Sequence, residues 1–426
     1  MSDDLFLVII NALFYCVWAA YYVTYKGFSI VTFPMVLWAA SALSSIYYFT
    51  SDLRTHTLHD ELSIIPYLYL FVLVWIAFAP LIRFDYKSIE TIHVNSVLFK
   101  YISIVIIMLS LIAIIPNIKY FLTHMLDPVA YLEAYQDKSY GTLKVLTGIP
   151  NTAMNLLKHL KGLIPIFFIV SMTTFVNSNI WMRSGLGLAL INLMISYLNT
   201  SSRYALVTDL FLILFVYFLL RPFVIGNIKK RINIIGIVVL IVLIGGVILI
   251  TTSRYGDRGG QDFVLYNLSY YFGESFSNFN GDLWNVSSFT EGNNCFHYFL
   301  NRFSGDGSPD RDIDLLESIT HRRMFVFYTF VGDFFTDFGA FITAVIVISL
   351  AWIFLMITKV SSEISFGKIL FLCLYVKVLL VGYTYWTYLN YSMEIIFTIV
   401  IGLAFNIEHN ISQYNLSLSE EEDKIT

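Results

Sequence analysis

The residues best suited to chemistry flank apolar runs in the second half of the chain. Asn199-Thr200-Ser201-Ser202-Arg203 enters one such run, and Ser253-Arg254-Tyr255-Gly256-Asp257-Arg258-Gly259-Gly260 leaves the next. Glycines let backbone amides approach an anion, and a guanidinium grips two phosphate oxygens through its planar fork. Consecutive spans joined by a short loop are usually neighbours, so Arg203 and Arg254 can converge, with Arg258 beside them, as a diphosphate-binding set. The competing reading is that arginines at helix ends snorkel to lipid headgroups.

A base and a sugar platform lie farther on. In His321-Arg322-Arg323 an imidazole stands beside two guanidiniums. Histidine titrates near neutrality and can take a proton from a hydroxyl, so His321 is the first candidate base and Glu274 the second. From Asp262 the apolar residues Leu265, Leu268, Phe272 and Phe276 recur at helical spacing, which leaves Tyr266, Tyr270, Tyr271, Glu274 and Asn278 as the polar and aromatic complement. Flat rings beside carboxylate and amide groups suit carbohydrate, and they equally suit an aromatic belt at a membrane interface. Asp333 and Asp337 stand four apart on one helix face. The run from Asp306 to Glu317 echoes a calcium loop, but Arg311 stands where the turn needs glycine and Pro309 removes an amide. It reads as a solvated acidic loop, and no metal or cofactor is expected.

The elements that must position these residues follow from composition. Of 426 residues, 57% are hydrophobic and 13% charged, and mean hydropathy is +0.71, where a soluble domain carries about a quarter charged residues. The chain reads as one all-α polytopic membrane domain. A net charge of -4 offers no basic surface for nucleic acid. Cys16, Cys295 and Cys373 form neither a disulfide framework nor a zinc spacing. Apolar runs long enough to span fall at 5–25, 28–49, 64–82, 98–116, 163–180, 184–200, 204–224, 232–252, 337–357, 366–386 and 389–407, eleven in all. The first is too long and aromatic for a signal segment and is expected to remain as a helix. The pair 163–180 and 184–200 is the most suspect and reads alternatively as re-entrant.

Arg221, Lys229, Lys230 and Arg231 mark a cytoplasmic turn. Counting outward puts Lys26, Arg83, Lys87, Arg183, Lys359 and Lys368 on the same side, together with the acidic tail at 408–426. Two long segments, 117–162 and 253–336, then face outward, and function is expected there. In the first, Asp127-Pro128 reads as a helix start. Met154, Leu157 and Leu160 form an apolar stripe with Lys158 and Lys161 off it, which suits a helix on the membrane surface. Asp209, Lys377 and Glu394 are intramembrane ionisable residues. Lys377 is expected to pair with one of the two carboxylates, most simply Asp209.

The run of spans, the long outer segment, Ser202-Arg203, Arg254 and the closing Gly332-Asp333 through Asp337-Phe338-Gly339 resemble the Wzy-type O-antigen and capsule repeat-unit polymerases from about the fifth span onward. The paired Arg-rich, glycine-terminated loops of some members are absent. The resemblance implies a glycosyltransferase of the bacterial inner membrane that joins undecaprenyl-diphosphate-linked oligosaccharides at the periplasmic face. Its partners would be membrane lipids, a chain-length regulator and a flippase of the same pathway. On that footing Arg203, Arg254 and Arg258 stabilise the leaving diphosphate without metal, and His321 or Glu274 takes the acceptor proton. Tyr270, Tyr271 and Arg322 bind substrate, and Asp333 and Asp337 orient residues or bind sugar. Three alternatives stay open. A GT-C-type lipid-phosphosugar glycosyltransferase would use Asp60-Glu61; an O-antigen ligase would accept lipid A core instead; a flippase or transporter would use Asp209, Lys377 and Glu394.

Overall fold

A computed structural model describes residues 3–54, 57–124, 145–200, 202–226, 229–230, 245, 260–304, 311–359, 362–389 and 392–425. The helices are α1 (Asp3–Lys26), α2 (Thr32–Thr50), α3 (Ile64–Arg83), α4 (Ser96–His124), α5 (Gly148–His159), α6 (Leu163–Val170), α7 (Ile180–Asn199), α8 (Arg203–Leu220), α9 (Gly260–Asn278), α10 (His297–Ser304), α11 (Ile313–Thr320), α12 (Thr329–Ile357), α13 (Phe366–Val381) and α14 (Ser392–Ile425). Two short strands, β1 (Thr91–His93) and β2 (Glu363–Ser365), pair in parallel.

Seven helices among the described residues are long and apolar enough to cross a membrane, and α5 with α6 makes an eighth if that pair, bent by 76°, is one broken span. The chain is therefore an all-helical, membrane-embedded protein. Its spans differ in detail from the eleven expected. The run at 163–180 is helical only over α6, and 171–179 continues without helix. The 389–407 run begins at Ser392 and continues as helix far beyond its expected end. The 337–357 run starts earlier, at Thr329, and breaks at Gly339, where φ is 70°. The 366–386 run ends as helix at Val381, and the backbone of 382–389 is buried but irregular. Such backbone is tolerated at membrane depth where protein surrounds it. The 232–252 run, apart from Gly245, and the Asp127-Pro128 helix start lie outside the described residues.

Packing divides the chain into two discontinuous compact units. Unit 1 comprises Met1–Phe84, Thr251–Met356 and Tyr375–Ser392; unit 2 comprises Asp85–Ile250, Ile357–Leu374 and Met393–Thr426.

In unit 1, α2 packs between α1 and α9. At Gly273 a Cβ would come within 2.4 Å of the Ser45 backbone nitrogen, so only glycine lets α9 approach α2 this closely. The Ser41 hydroxyl donates to the Phe272 carbonyl across the same contact. Trp38 centres the core, with ring centroids 5.8 Å from Tyr15 and 6.1 Å from both Phe276 and Phe330. Its indole N–H donates to the Leu379 carbonyl at 2.8 Å.

In unit 2, a polar ladder fastens α4 to α7. Asn199 Nδ2 donates to Asn117 Oδ1 at 2.7 Å, Asn117 Nδ2 to Asn192 Oδ1 at 2.8 Å, and Asn192 Nδ2 to Ser110 Oγ at 3.2 Å. Lipid gives apolar helices no reason to prefer one another over solvent, so such ladders fix which faces meet. The β1–β2 pair sets the α3–α4 and α12–α13 connections side by side, connections that the sequence reading also puts on one face.

The Met154-Leu157-Leu160 stripe is buried, but against α4 rather than lipid headgroups. Lys161, expected on the wet side, is buried at the α5–α6 break and pairs with Glu394 at 3.6 Å. Gly162 makes room, since a Cβ there would meet Glu394 Oε1 at 2.2 Å. Asp209 accepts from the Tyr197 hydroxyl at 2.5 Å within unit 2. In unit 1 the Lys377 ammonium lies 5.9 Å from the Tyr388 ring centroid.

Candidate active site

The second long segment is no peripheral loop: most of its described residues are built into unit 1. Helix α9 carries Glu274 inward, with Tyr270 one turn before it and Asn278 one turn after. It ends in a π-turn at Phe279–Leu283, which widens the backbone and aims Asn280 and Asp282 at the α2–α3 connection. Asn280 clamps Ser63, accepting from its N–H at 3.0 Å and donating to its carbonyl at 2.6 Å. Asp60 N–H donates to the Gly281 carbonyl at 2.8 Å, and His59 N–H to Asp282 Oδ1 at 2.9 Å.

The other wall comes from the end of α11. Asp312 caps that helix by accepting from Leu315 N–H at 3.0 Å. His321 closes it in the left-handed region, φ 53°, a conformation that costs a non-glycine residue energy and here reverses the chain. The reversal delivers two guanidiniums to the π-turn. Arg322 Nε donates to the Asp282 carbonyl at 2.6 Å, and its Nη2 lies 3.6 Å from Asp60 Oδ2. Arg323 Nη2 meets Asp282 Oδ2 at 2.7 Å. Glu317 Oε1 accepts from Met324 N–H at 2.7 Å, and Phe327 N–H then donates to Glu274 Oε1 at 3.0 Å. Residues 321–327 thus form a short strap from the histidine to the buried carboxyl.

A cavity of about 410 Å³ opens here, lined by Thr57, Leu58, His59, Asp282, Glu317, His321, Arg322 and Arg323. His321 is exposed at it. Glu274 is only 1% exposed, and among the described residues its Oε2 has no hydrogen-bond partner. Burial pushes its carboxyl up to about 8, against the opposing pull of Phe327 N–H, Asn278 and the Arg323 charge. Tyr270 and Tyr271 pack on Phe327, at 6.2 Å and 5.4 Å between centroids, and Tyr48 stands 5.9 Å from Tyr270. The rings of Tyr48, Tyr270, Tyr271 and Phe327 therefore pack on one another beside the strap.

The two aspartates of α12 are taken up inside the fold. Asp337 accepts from Thr290 Oγ1 at 2.5 Å and from the backbone N–H groups of Gly292, Asn294 and Cys295 at 3.1, 2.9 and 2.7 Å. Asp333 accepts from Trp386 N–H at 2.5 Å and from Asn294 Nδ2 at 3.3 Å. They orient the 290–295 turn and the irregular 382–389 segment, and neither lines the cavity. Of the arginine trio, Arg203 opens α8 in unit 2 with its side chain outside the described set, and Arg254 and Arg258 lie outside the described residues altogether.

Sequence reasoning missed Asp282 and Arg323 as a pair, and it weighed Asp60 only for a different enzyme class. Nothing in the spacing announces the π-turn that aims Asp282, whereas Arg323 was visible in its triplet. Among the described residues no group of three or more His, Cys, Asp or Glu could hold a metal ion. In the calcium-like run, Asp312 and Glu317 serve as backbone caps. Compared with known proteins, the chain matches no family model, no curated protein and no solved structure.

Proposed function

We propose that the protein is a membrane glycosyltransferase that joins undecaprenyl-diphosphate-linked oligosaccharide repeat units at the periplasmic face of the bacterial inner membrane. The observation that carries the reading is the unit 1 cavity. There His321 is exposed beside two guanidiniums, and the buried Glu274, which does not itself line the cavity, is tied to the far end of the 321–327 strap. In the reaction the acceptor hydroxyl oxygen bonds to the donor's anomeric carbon as the carbon–oxygen bond to diphosphate breaks. The hydroxyl proton goes to a base and the lipid diphosphate leaves with the electron pair. His321 has the access a base needs. Glu274 is the second candidate: it ionises only above about pH 8, so it takes the proton only after it has lost its own. Among the described residues Arg323 makes hydrogen bonds through Nη2, and its other guanidinium donors are candidates for substrate oxygens. Arg203, Arg254 and Arg258 are the candidates for the diphosphate on sequence grounds.

Deleting the gene and running a glycan gel tests the reading: a single repeat unit left on the lipid acceptor is expected, and normal ladders would refute it. In the purified enzyme, His321→Ala should retain lipid-linked substrate and lower turnover by about 10²–10⁴-fold. One observation favours a second reading. Asp60 lies at Arg322, in the connection where a GT-C-type enzyme would carry its acid. Loss of all transfer in Asp60→Asn, with His321→Ala active, would select it.

A further inference from the structure

Unit 1 holds a set of buried polar atoms that no hydrogen bond among the described residues uses. On α1, Asp4, Asn11 and Tyr15 are spaced by seven and four residues and so share a face. Asn11 is fully buried, and among the described residues neither its amide nitrogen nor its oxygen has a hydrogen-bond partner; the Tyr15 hydroxyl has none there either. Tyr15 meets Phe276 of α9 at 5.1 Å between ring centroids. The next two residues, Ser277 and Asn278, present Oγ and Oδ1 that are likewise buried and unpartnered. The Tyr67 hydroxyl of α3 approaches Ser277 without completing a hydrogen bond. Asn278 sits one helical turn from Glu274, where Oε2 ends the series.

Burying a polar atom without a hydrogen-bond partner is costly. Native proteins satisfy such groups with ordered water. The series has a mouth, because Asp4 lines an open cavity of about 500 Å³ together with Arg54, Asp60 and Glu61. We propose that a hydrated proton path runs along the seam of α1, α3 and α9, from the cavity at Asp4 to Glu274. Tyrosine and serine hydroxyls both donate and accept, so they can pass a proton between waters, and Asn11 and Asn278 hold those waters in place. Resting on the reading in which Glu274 is a base for glycosyl transfer, the path carries the resting carboxyl's proton out to bulk solvent at Asp4 and so forms the carboxylate that can accept the proton of the acceptor hydroxyl.

The test uses the full chain in lipid nanodiscs without substrate. The protonated Glu274 carbonyl stretch is identified by infrared difference against Glu274→Gln, and its downshift is timed after transfer to D₂O. Tyr67→Phe and Asn11→Leu should slow the downshift at least tenfold. Tyr69→Phe, whose lost hydroxyl donates instead to the Ala340 carbonyl at 2.5 Å, should leave it at the wild-type rate. Ser277→Ala serves in place of Asn11→Leu if that variant does not fold. Wild-type exchange in both Tyr67→Phe and Ser277→Ala overturns the path and leaves the glycosyltransfer reading standing. Normal ladders after gene deletion overturn that reading and leave the exchange result intact.

Discussion

Replacing Glu274 with glutamine should flatten the alkaline arm of the protein's stability curve. Burial lifts this carboxyl from its ordinary 4.5 to about 8, so the folded state holds a proton that the unfolded chain has released. Below pH 4.5 both states are protonated and the group costs nothing. As pH rises toward 8 the unfolded state gains by ionising and stability falls; above about 8 both are ionised and the loss is complete. At ~1.36 kcal/mol per pKa unit the full loss is about 5 kcal/mol. Glutamine keeps the oxygen that Phe327 N–H contacts at 3.0 Å but does not titrate. Thermal unfolding in detergent between pH 5 and 9 should therefore show the wild-type midpoint dropping roughly 5 °C more than that of Glu274→Gln, from ~2–4 °C per kcal/mol in chains of 150–250 residues and less in longer ones. Parallel curves would mean that burial does not raise the Glu274 carboxyl in the folded protein.

Removing Lys161 strands a buried carboxylate, so Lys161→Met should cost about 3–5 kcal/mol, read as lost folded protein, while Lys161→Met with Glu394→Gln recovers most of it. No recovery would deny the 3.6 Å pair. Gly273→Ala drives a methyl against the Ser45 backbone and should cost about 1–3 kcal/mol in thermal unfolding; an unchanged midpoint would place α9 farther from α2. Asn117→Leu should lower stability by about 0.6–1.7 kcal/mol for each of its ladder bonds that is lost, and no loss would argue that lipid packing alone joins α4 to α7. Cysteine placed at 300 should react with an impermeant reagent in spheroplasts and cysteine at 230 should not; the reverse pattern would invert the topology.

The sequence alone determined that the chain is helical and lives in a membrane, because a span's length and hydropathy are local properties that lipid reads directly. It also named His321, Arg322 and Glu274, since residue type and short spacing are local too. It misjudged where helices stop: the breaks at Gly339 and after Val170, and the irregular 382–389 segment, are stabilised by distant partners such as Asp333 rather than by the residues around them. The tertiary structure alone decided which charges meet. Lys161 pairs with Glu394, and Arg323 with Asp282, because a bent helix pair and a π-turn bring together residues far apart in the chain. It alone also set the state of Glu274, whose raised carboxyl is a property of the helices packed around α9. Burial is a sum over neighbours, and the chain's local pattern does not contain that sum.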